Sequence, residues 1–447
     1  LVFLFFHIPI KNISYSAGSK IKVVSGVKIQ IKYNFSKFTK EKKMREIYSK
    51  ENIMEIINKE KEYNIFSLKE KNFLSDIVSE ILEEIMYKER QIYLSNNMLD
   101  KGNGFYDRDI QTSLGKININ VARTREGEFR PKVLPDKYTR YDSSFEELIK
   151  SLIINGDSKA EIISKLKFKG LNYSDQLVEE IYEDIKIKIK DFKLTELEDK
   201  YFFVYIDAYN TNVKDLKDGK VKHCAVYTLV GVDYNANKKI IGFYNVFGKE
   251  NKDTWKSIFQ DLITRGLKRV LLFICDDFSG ISDAIKTFFP DCYIQKCFVH
   301  LQRSVFRNTS KQECKNIIEI LSQIKTSNSF EKAYNLFKDE IISNYSKKYP
   351  DFIKSLDSKI DEYIAFLNFP KEIQKHIYTT NPVESVNSGF EKIRYRKSGY
   401  FQSVDCLEIS FFLFIEKMNN KWKFNSIPNI KNHIYELKQI FNLRFYS

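Results

Sequence analysis

The stretch Val270–Gly280 reads VLLFICDDFSG: an apolar run ending in two adjacent carboxylates, then Phe-Ser-Gly. A second stretch, FFVYIDAYN (Phe202–Asn210), has the same design, with Asp207 near the end of its apolar run. Short apolar runs bounded by turn residues read as buried strands. Outward from these two, strands are expected at 201–208, 222–233, 239–247, 269–275 and 293–299. Helices are expected at 253–265, ending at Arg265-Gly266, and at 281–288, stopped by Pro290. Three strands in succession followed by alternation with helices predict a mixed sheet flanked by helices. The first strand is then central. A helical crossover makes the strand at 269–275 its parallel neighbour. Asp207 and Asp276 would fall at or near the ends of adjacent strands, about 4.8 Å apart.

Two carboxylates at that spacing can share a hard divalent cation, Mg²⁺ or Mn²⁺. A third would complete a site for two ions that acts on a phosphodiester. Glu384, in YTTNPVESVN, is the best third candidate. Local sequence offers another role for it. Asn381 suits an N-cap, Pro382 the first helical position and Glu384 the capping-box glutamate.

The rest of the chain supports a large globular protein that meets a polyanion. It has 447 residues, 43% hydrophobic and 30% charged; 73 Lys+Arg against 59 Asp+Glu give a net charge of +14. Such a balance points to nucleic acid, although abundant Lys, Asn, Ile, Tyr and Phe with little Gly and Pro also fit an AT-rich genome. Six scattered cysteines make no disulfide framework, so a reduced, cytoplasmic setting is expected. No apolar run reaches membrane-spanning length. The first methionine is Met44, and residues 1–43 are expected to form a poorly structured upstream extension.

Helical periodicity runs from about 41 to 94, with Leu74, Ile77, Ile81, Ile85 and Met86 in phase. Alternation over 111–129, turning at Glu126-Gly127, predicts a short hairpin. Three helices follow, the second opening on a Ser158/Glu161 capping box. Helix, tight turn, helix is compatible with a helix-turn-helix DNA module, and equally with a small bundle. The organisation expected is therefore 1–43 extension, 44–110 helical region, 111–196 hairpin plus helix-turn-helix-like DNA-binding region, 197–300 first part of the α/β core, 301–378 all-helical insertion and 379–447 closing helices.

YIDAYN, DTWKSIFQDLITRGLK, CDDFSGISDAIKTFFPDCYIQKCFVHLQRSVFRN, TTNPVESVN and RYRKSGYF, taken in order, resemble the mutator-type bacterial insertion-sequence transposases across roughly residues 90–440. The resemblance implies a ribonuclease-H-like catalytic core with a DDE triad, Asp207, Asp276 and Glu384, each a catalytic residue and metal ligand. Asp276 is favoured over Asp277 because the family's aspartate precedes a glycine by four and an alanine by eight, here Gly280 and Ala284. Asp277 is expected beside the site or in solvent. Trp255 matches a family position and is expected to pack in the core.

Cys297 and His300 match the family's Cys-x2-His pair. No second pair stands nearby to complete zinc, so a core cysteine and a histidine near the active site or DNA are expected. His300, Arg303 and Arg307 share a helical face, either a phosphate-holding stripe or an ordinary solvated face. With Asn387, Arg394, Arg396, Lys397 and Tyr400 they make up the expected DNA-facing set. Ser385 departs from the arginine common after the glutamate. The implied activity is binding of terminal inverted repeats, then Mg²⁺- or Mn²⁺-dependent cleavage and strand transfer into target DNA, by a homodimer or higher oligomer associated with the bacterial nucleoid. A junction-type nuclease on the same fold, or a non-catalytic DNA-binding derivative, are the competing readings.

Overall fold

The computed structural model describes residues 73–446, except 137–138, 170, 172, 249 and 424–426. The expected extension over 1–43 and the helical stretch before residue 73 lie outside the described residues.

The chain divides into two compact units. The first comprises residues up to Ile110 together with Lys116–Arg140. Its helix α1 (Phe73–Asn96) precedes strands β1 (Gly102–Thr112) and β2 (Gly115–Thr124), with Met86, Ile110, Ile117, Ile119 and Val121 forming the core. The hairpin turns at Ser113-Leu114, not at Glu126-Gly127. Most of β1 is solvent-exposed, so it carries no apolar alternation to betray it.

The second unit, Gln111–Gly115 with Tyr141–Ser447, holds every candidate site residue. It opens with three helices, α2 (Ser143–Ile154), α3 (Lys159–Phe168) and α4 (Asp175–Leu194). The Ser158/Glu161 capping box forms as expected. Then come β3 (Lys200–Lys214), β4 (Val221–Asp233), β5 (Lys238–Phe247), α5 (Lys252–Thr264), β6 (Arg269–Cys275), α6 (Ile281–Phe288), β7 (Tyr293–Lys296) and α7 (Phe298–Asn308). A set of helices fills Lys311 to Ile377, and α8 (Asn381–Arg396) and α9 (Val404–Trp422) follow. Among the described residues no helix is long and apolar enough to cross a membrane.

The five strands form one mixed sheet in the order β5-β4-β3-β6-β7. β3 is central, antiparallel to β4 and parallel to β6, as the element order requires. One correction concerns length. Asp207 lies in the middle of β3, because antiparallel pairing with β4 carries the strand on to Lys214. It is nonetheless the first residue past the parallel pairing, whose last partners are Ile206 and Cys275. A second correction is that β7 stops at Lys296, and α7 takes over the residues expected to extend it to 299.

Alternation on the strands separates two cores. Val204, Ile206, Tyr227, Leu229 and Phe273 pack against α5 and α6 on one face. Trp255 belongs there, wholly buried, edge-on to Tyr227 with ring centroids 4.6 Å apart. Tyr205, Tyr209, Val226, Leu272 and Ile274 face the opposite core, built with α2–α4, the helices of Lys311–Ile377, α8 and α9. Asp207 and Asp276 continue the second set. Gly280, at φ +75°, turns the chain from the carboxylate loop into α6, and a Cβ there would meet the Lys252 backbone at 3.2 Å.

Candidate active site

Three elements deliver three carboxylates. The parallel register of β3 and β6 sets Asp207 beside Asp276. Across the sheet, Thr228 of β4 is the direct partner of Asp207. Helix α8 packs on β3 with Val383, Val386, Phe390 and Ile393 buried, which leaves Glu384 half-buried and near enough to Asp207 for its charge to act there. Glu384 does not close a capping box. The helix begins one residue earlier than expected, at Asn381. Its N-cap, Thr380, makes no side-chain cap bond; its hydroxyl faces the Cys297 sulfur at 3.6 Å.

Electrostatics tie the three together. Asp207 is only 6% exposed. Burial first, then the charge of Asp276, push its pKa up to about 7; the Ala208 N–H pulls it down, and Glu384 adds to the rise. One oxygen of Asp207 accepts from Ala208 N–H at 2.8 Å, and the other from Asn387 Nδ2 at 2.8 Å. Asn387 thus holds the carboxylate rather than projecting as an independent DNA-facing group.

His300 Nδ1 lies 2.5 Å from Asp276 Oδ1, though neither atom has a hydrogen-bond partner with acceptable alignment. Burial works against the imidazolium, but Asp276 and Cys297 hold the ring's pKa up at about 10. Arg303 argues the other way. Its Nη1 is 2.9 Å from His300 Nε2. A guanidinium only donates, so Nε2 must accept and the proton must be on Nδ1, toward Asp276. We assign the neutral ring on that ground. Asp276, Cys297 and His300 also bring their donor atoms within 4.8 Å of one another. The Cys-x2-His pair therefore gains one ligand, leaving a zinc tetrahedron one short and Asp276 shared with the carboxylate set.

Behind the site is a group the sequence reading missed. Lys296 is 1% exposed, and its ammonium lies 3.3 Å from the Asp276 carbonyl and 3.3 Å from Asp277 Oδ1. Lys359 takes the other Asp277 oxygen at 2.6 Å. Asp277 is thus paired beside the site rather than free in solvent. Glu362, which accepts from Ser282 at 2.8 Å and Lys286 at 2.7 Å, completes the cluster 4.0 Å from Lys296. Burial disfavours the ammonium, yet Cys275, Asp277 and Glu362 keep the Lys296 pKa above the ordinary lysine value. The doubled aspartate was the one sequence signal that a cation must lie nearby.

The expected DNA-facing set separates by environment. Arg303 and Arg307 are exposed on α7. Arg394 forms a two-pronged pair with Glu391, which also accepts from Tyr209 at 2.5 Å. Arg396 is exposed, with one nitrogen on Asn155 Oδ1 at 2.8 Å. Lys397 is buried, and Tyr400 half-buried.

Asp207, Asp276 and Glu384 offer the hard oxygen donors that Mg²⁺ or Mn²⁺ takes, although the three do not bring oxygens all within 4.8 Å of one another. An α/β protein with two carboxylates at the end of a central parallel strand pair, and a third on the helix packed over them, is the class so defined. The chain belongs to the transposase Mutator family, whose model matches residues 44–425. It is 30% identical over 287 residues to the transposase of insertion sequence IS1201 from Lactobacillus helveticus, covering 64% of this chain and 76% of that one. It is 26% identical over 359 residues to the ISRM3 transposase of Rhizobium meliloti (strain 1021), at 78% and 88% coverage. With the IS905 transposase of Lactococcus lactis the identity is 25% over 349 residues, at 78% and 87% coverage.

Proposed function

We propose that the chain is the transposase of a bacterial insertion sequence, which binds the element's terminal inverted repeats and performs strand cleavage and strand transfer on a ribonuclease-H-like core. The observation that carries this reading is the convergence of Asp207 and Asp276, on neighbouring parallel strands, with Glu384, close enough for its charge to act on Asp207. The strand order, three antiparallel strands followed by two parallel ones, supports the core assignment. Two Mg²⁺ or Mn²⁺ ions bound by these carboxylates would supply activation of the attacking oxygen and neutralisation of the leaving one.

The chain's own residues set the geometry for that chemistry. Asn387 fixes the rotamer of Asp207, and the Nδ1–H of His300 faces Asp276. Lys296 steadies the turn between them from behind. Near neutral pH Asp207 is partly protonated, and it must lose that proton to serve as a ligand. Helix α3 and its C-cap leave Lys167, Phe168 and Lys169 exposed, which supports a DNA-contacting role for the α2–α4 region. The partners are duplex repeats and target DNA, met by a homodimer or higher oligomer at the nucleoid.

The test is an end-labelled duplex bearing the repeats that border the coding frame. Wild type should nick it and join it to target DNA in Mg²⁺. Asp207→Asn should bind it and do neither. Cleavage retained by that variant would remove Asp207 from the mechanism.

A further inference from the structure

Helix α7 begins at the carboxylate cluster and leads away from it. Its first turn carries His300, against Asp276; its last turns carry Phe306, a large aromatic left 69% exposed. At 1.5 Å per residue, Phe306 is about 9 Å along the axis from His300. Val299, Gln302, Arg303, Phe306 and Arg307 line one groove on this helix. Helical spacing places Phe306 beside Arg303 on that face, with Arg307 and then His300 following around the helix.

The buried face of α7 is fully accounted for by Phe298, Leu301 and Val305. Phe306 contributes nothing to that core. Among the described residues neither Arg303 nor Arg307 forms an ion pair. The face therefore offers one aromatic plane and two cationic forks. That is the complement of a base with its flanking phosphates, because base–aromatic stacking and arginine–phosphate contacts need those two groups together.

We propose that Phe306 stacks on an unpaired base of the DNA end, while Arg303 and Arg307 hold the adjoining phosphates, so that α7 splays the duplex next to the scissile bond. The inference rests on the transposase reading and adds the site where the substrate's bases are engaged. About 9 Å corresponds to two or three base steps at 3.4 Å each, so the stacked base lies that far from the bond being cut.

The experiment uses the full chain and the bordering-repeat duplex with 2-aminopurine substituted, one position at a time, within four bases of the cleavage point. One substituted position, two or three bases from the cut, should change fluorescence on binding to wild type and not to Phe306→Ala. That variant should bind the unmodified duplex within about threefold of wild type yet cut it roughly tenfold more slowly, in line with stacking worth about 1–3 kcal/mol. Phe306→Trp should restore both signals, and a duplex already mispaired at that position should relieve part of the Phe306→Ala defect. Equal fluorescence and cutting in Phe306→Ala and wild type would overturn the proposal. So would a Phe306→Ala defect traced by sedimentation to loss of a homo-oligomer, which would make the face a contact between copies. A wild type that cuts no repeat duplex would instead fail the transposase reading itself.

Discussion

Asn387 donates from Nδ2 to Asp207 Oδ2 at 2.8 Å, and it does so from the turn of α8 immediately after Glu384. Positions three apart share a helix face. One short segment therefore supplies a candidate ligand and the group that aims another ligand on a distant strand. Glu384 and Asp207 cannot shift independently without breaking that bond.

Removing the amide should loosen the ligand set without abolishing it. Asn387→Ala is expected to raise the Mn²⁺ concentration needed for half-maximal nicking roughly 10- to 100-fold, the usual range for a group that orients a metal ligand. A Mn²⁺ titration of the nicking rate would show it. An unchanged midpoint would mean Asp207 needs no such support.

The raised pKa of Asp207 predicts an inverted stability effect in the metal-free protein. The carboxyl titrates near 3.8 when unfolded and near 7 when folded. A pKa raised by folding means that stability is fully present below the unfolded value and is lost as pH rises through about 7. Asp207→Asn never charges, although its single amide oxygen can accept from only one of Ala208 N–H and Asn387 Nδ2. In EDTA its Tm should match wild type near pH 4 and exceed it by about 3 °C or more at pH 8. Adding Mn²⁺ at pH 8 should raise the wild-type Tm more than the variant's. A variant less stable than wild type across that whole range would contradict the assigned strain.

Lys296 is a buried cation with two carboxylate neighbours, and breaking a buried pair from one side costs about 3–5 kcal/mol. Lys296→Met should lower stability by that order in urea melts. Pairing it with Glu362→Gln should recover part of the loss, because the second change removes a stranded charge. Additive losses in the double variant would show that the two side chains do not act together.

Gly156, between α2 and α3, has φ +101°, and a Cβ there would stand 2.6 Å from the carbonyl oxygen of Arg396 at the end of α8. Both the left-handed backbone and the backbone clash penalise a side chain, so Gly156→Ala should cost about 2 kcal/mol or more. Thermal melting checks this. A neutral substitution would mean the α2–α3 turn does not abut α8 as described.

How much of this the sequence disclosed follows from the range of each signal. Strand order and the adjacency of Asp207 and Asp276 were legible because they depend on element order and handedness alone. Caps were legible where the partner is three residues away, as at Ser158 and Glu161. The same local grammar misled at Glu384, which fits a capping box on paper. Tertiary packing draws the Thr380 side chain to Cys297 and starts the helix earlier. Lys296 was invisible, since Glu362 and Lys359 are more than sixty residues away and no short-range pattern announces a buried cation. Arg394 looked like a phosphate contact by composition, yet Glu391, one turn before it, holds its guanidinium.

The central claim is that Asp207, Asp276 and Glu384 form one divalent-cation site, and Mn²⁺ binding measured by electron paramagnetic resonance tests it most directly. With the bordering-repeat duplex present, wild type should bind two Mn²⁺ per chain, and Asp207→Asn, Asp276→Asn and Glu384→Gln should each reduce that binding while still holding the DNA. Identical Mn²⁺ binding by wild type and all three variants would contradict the account.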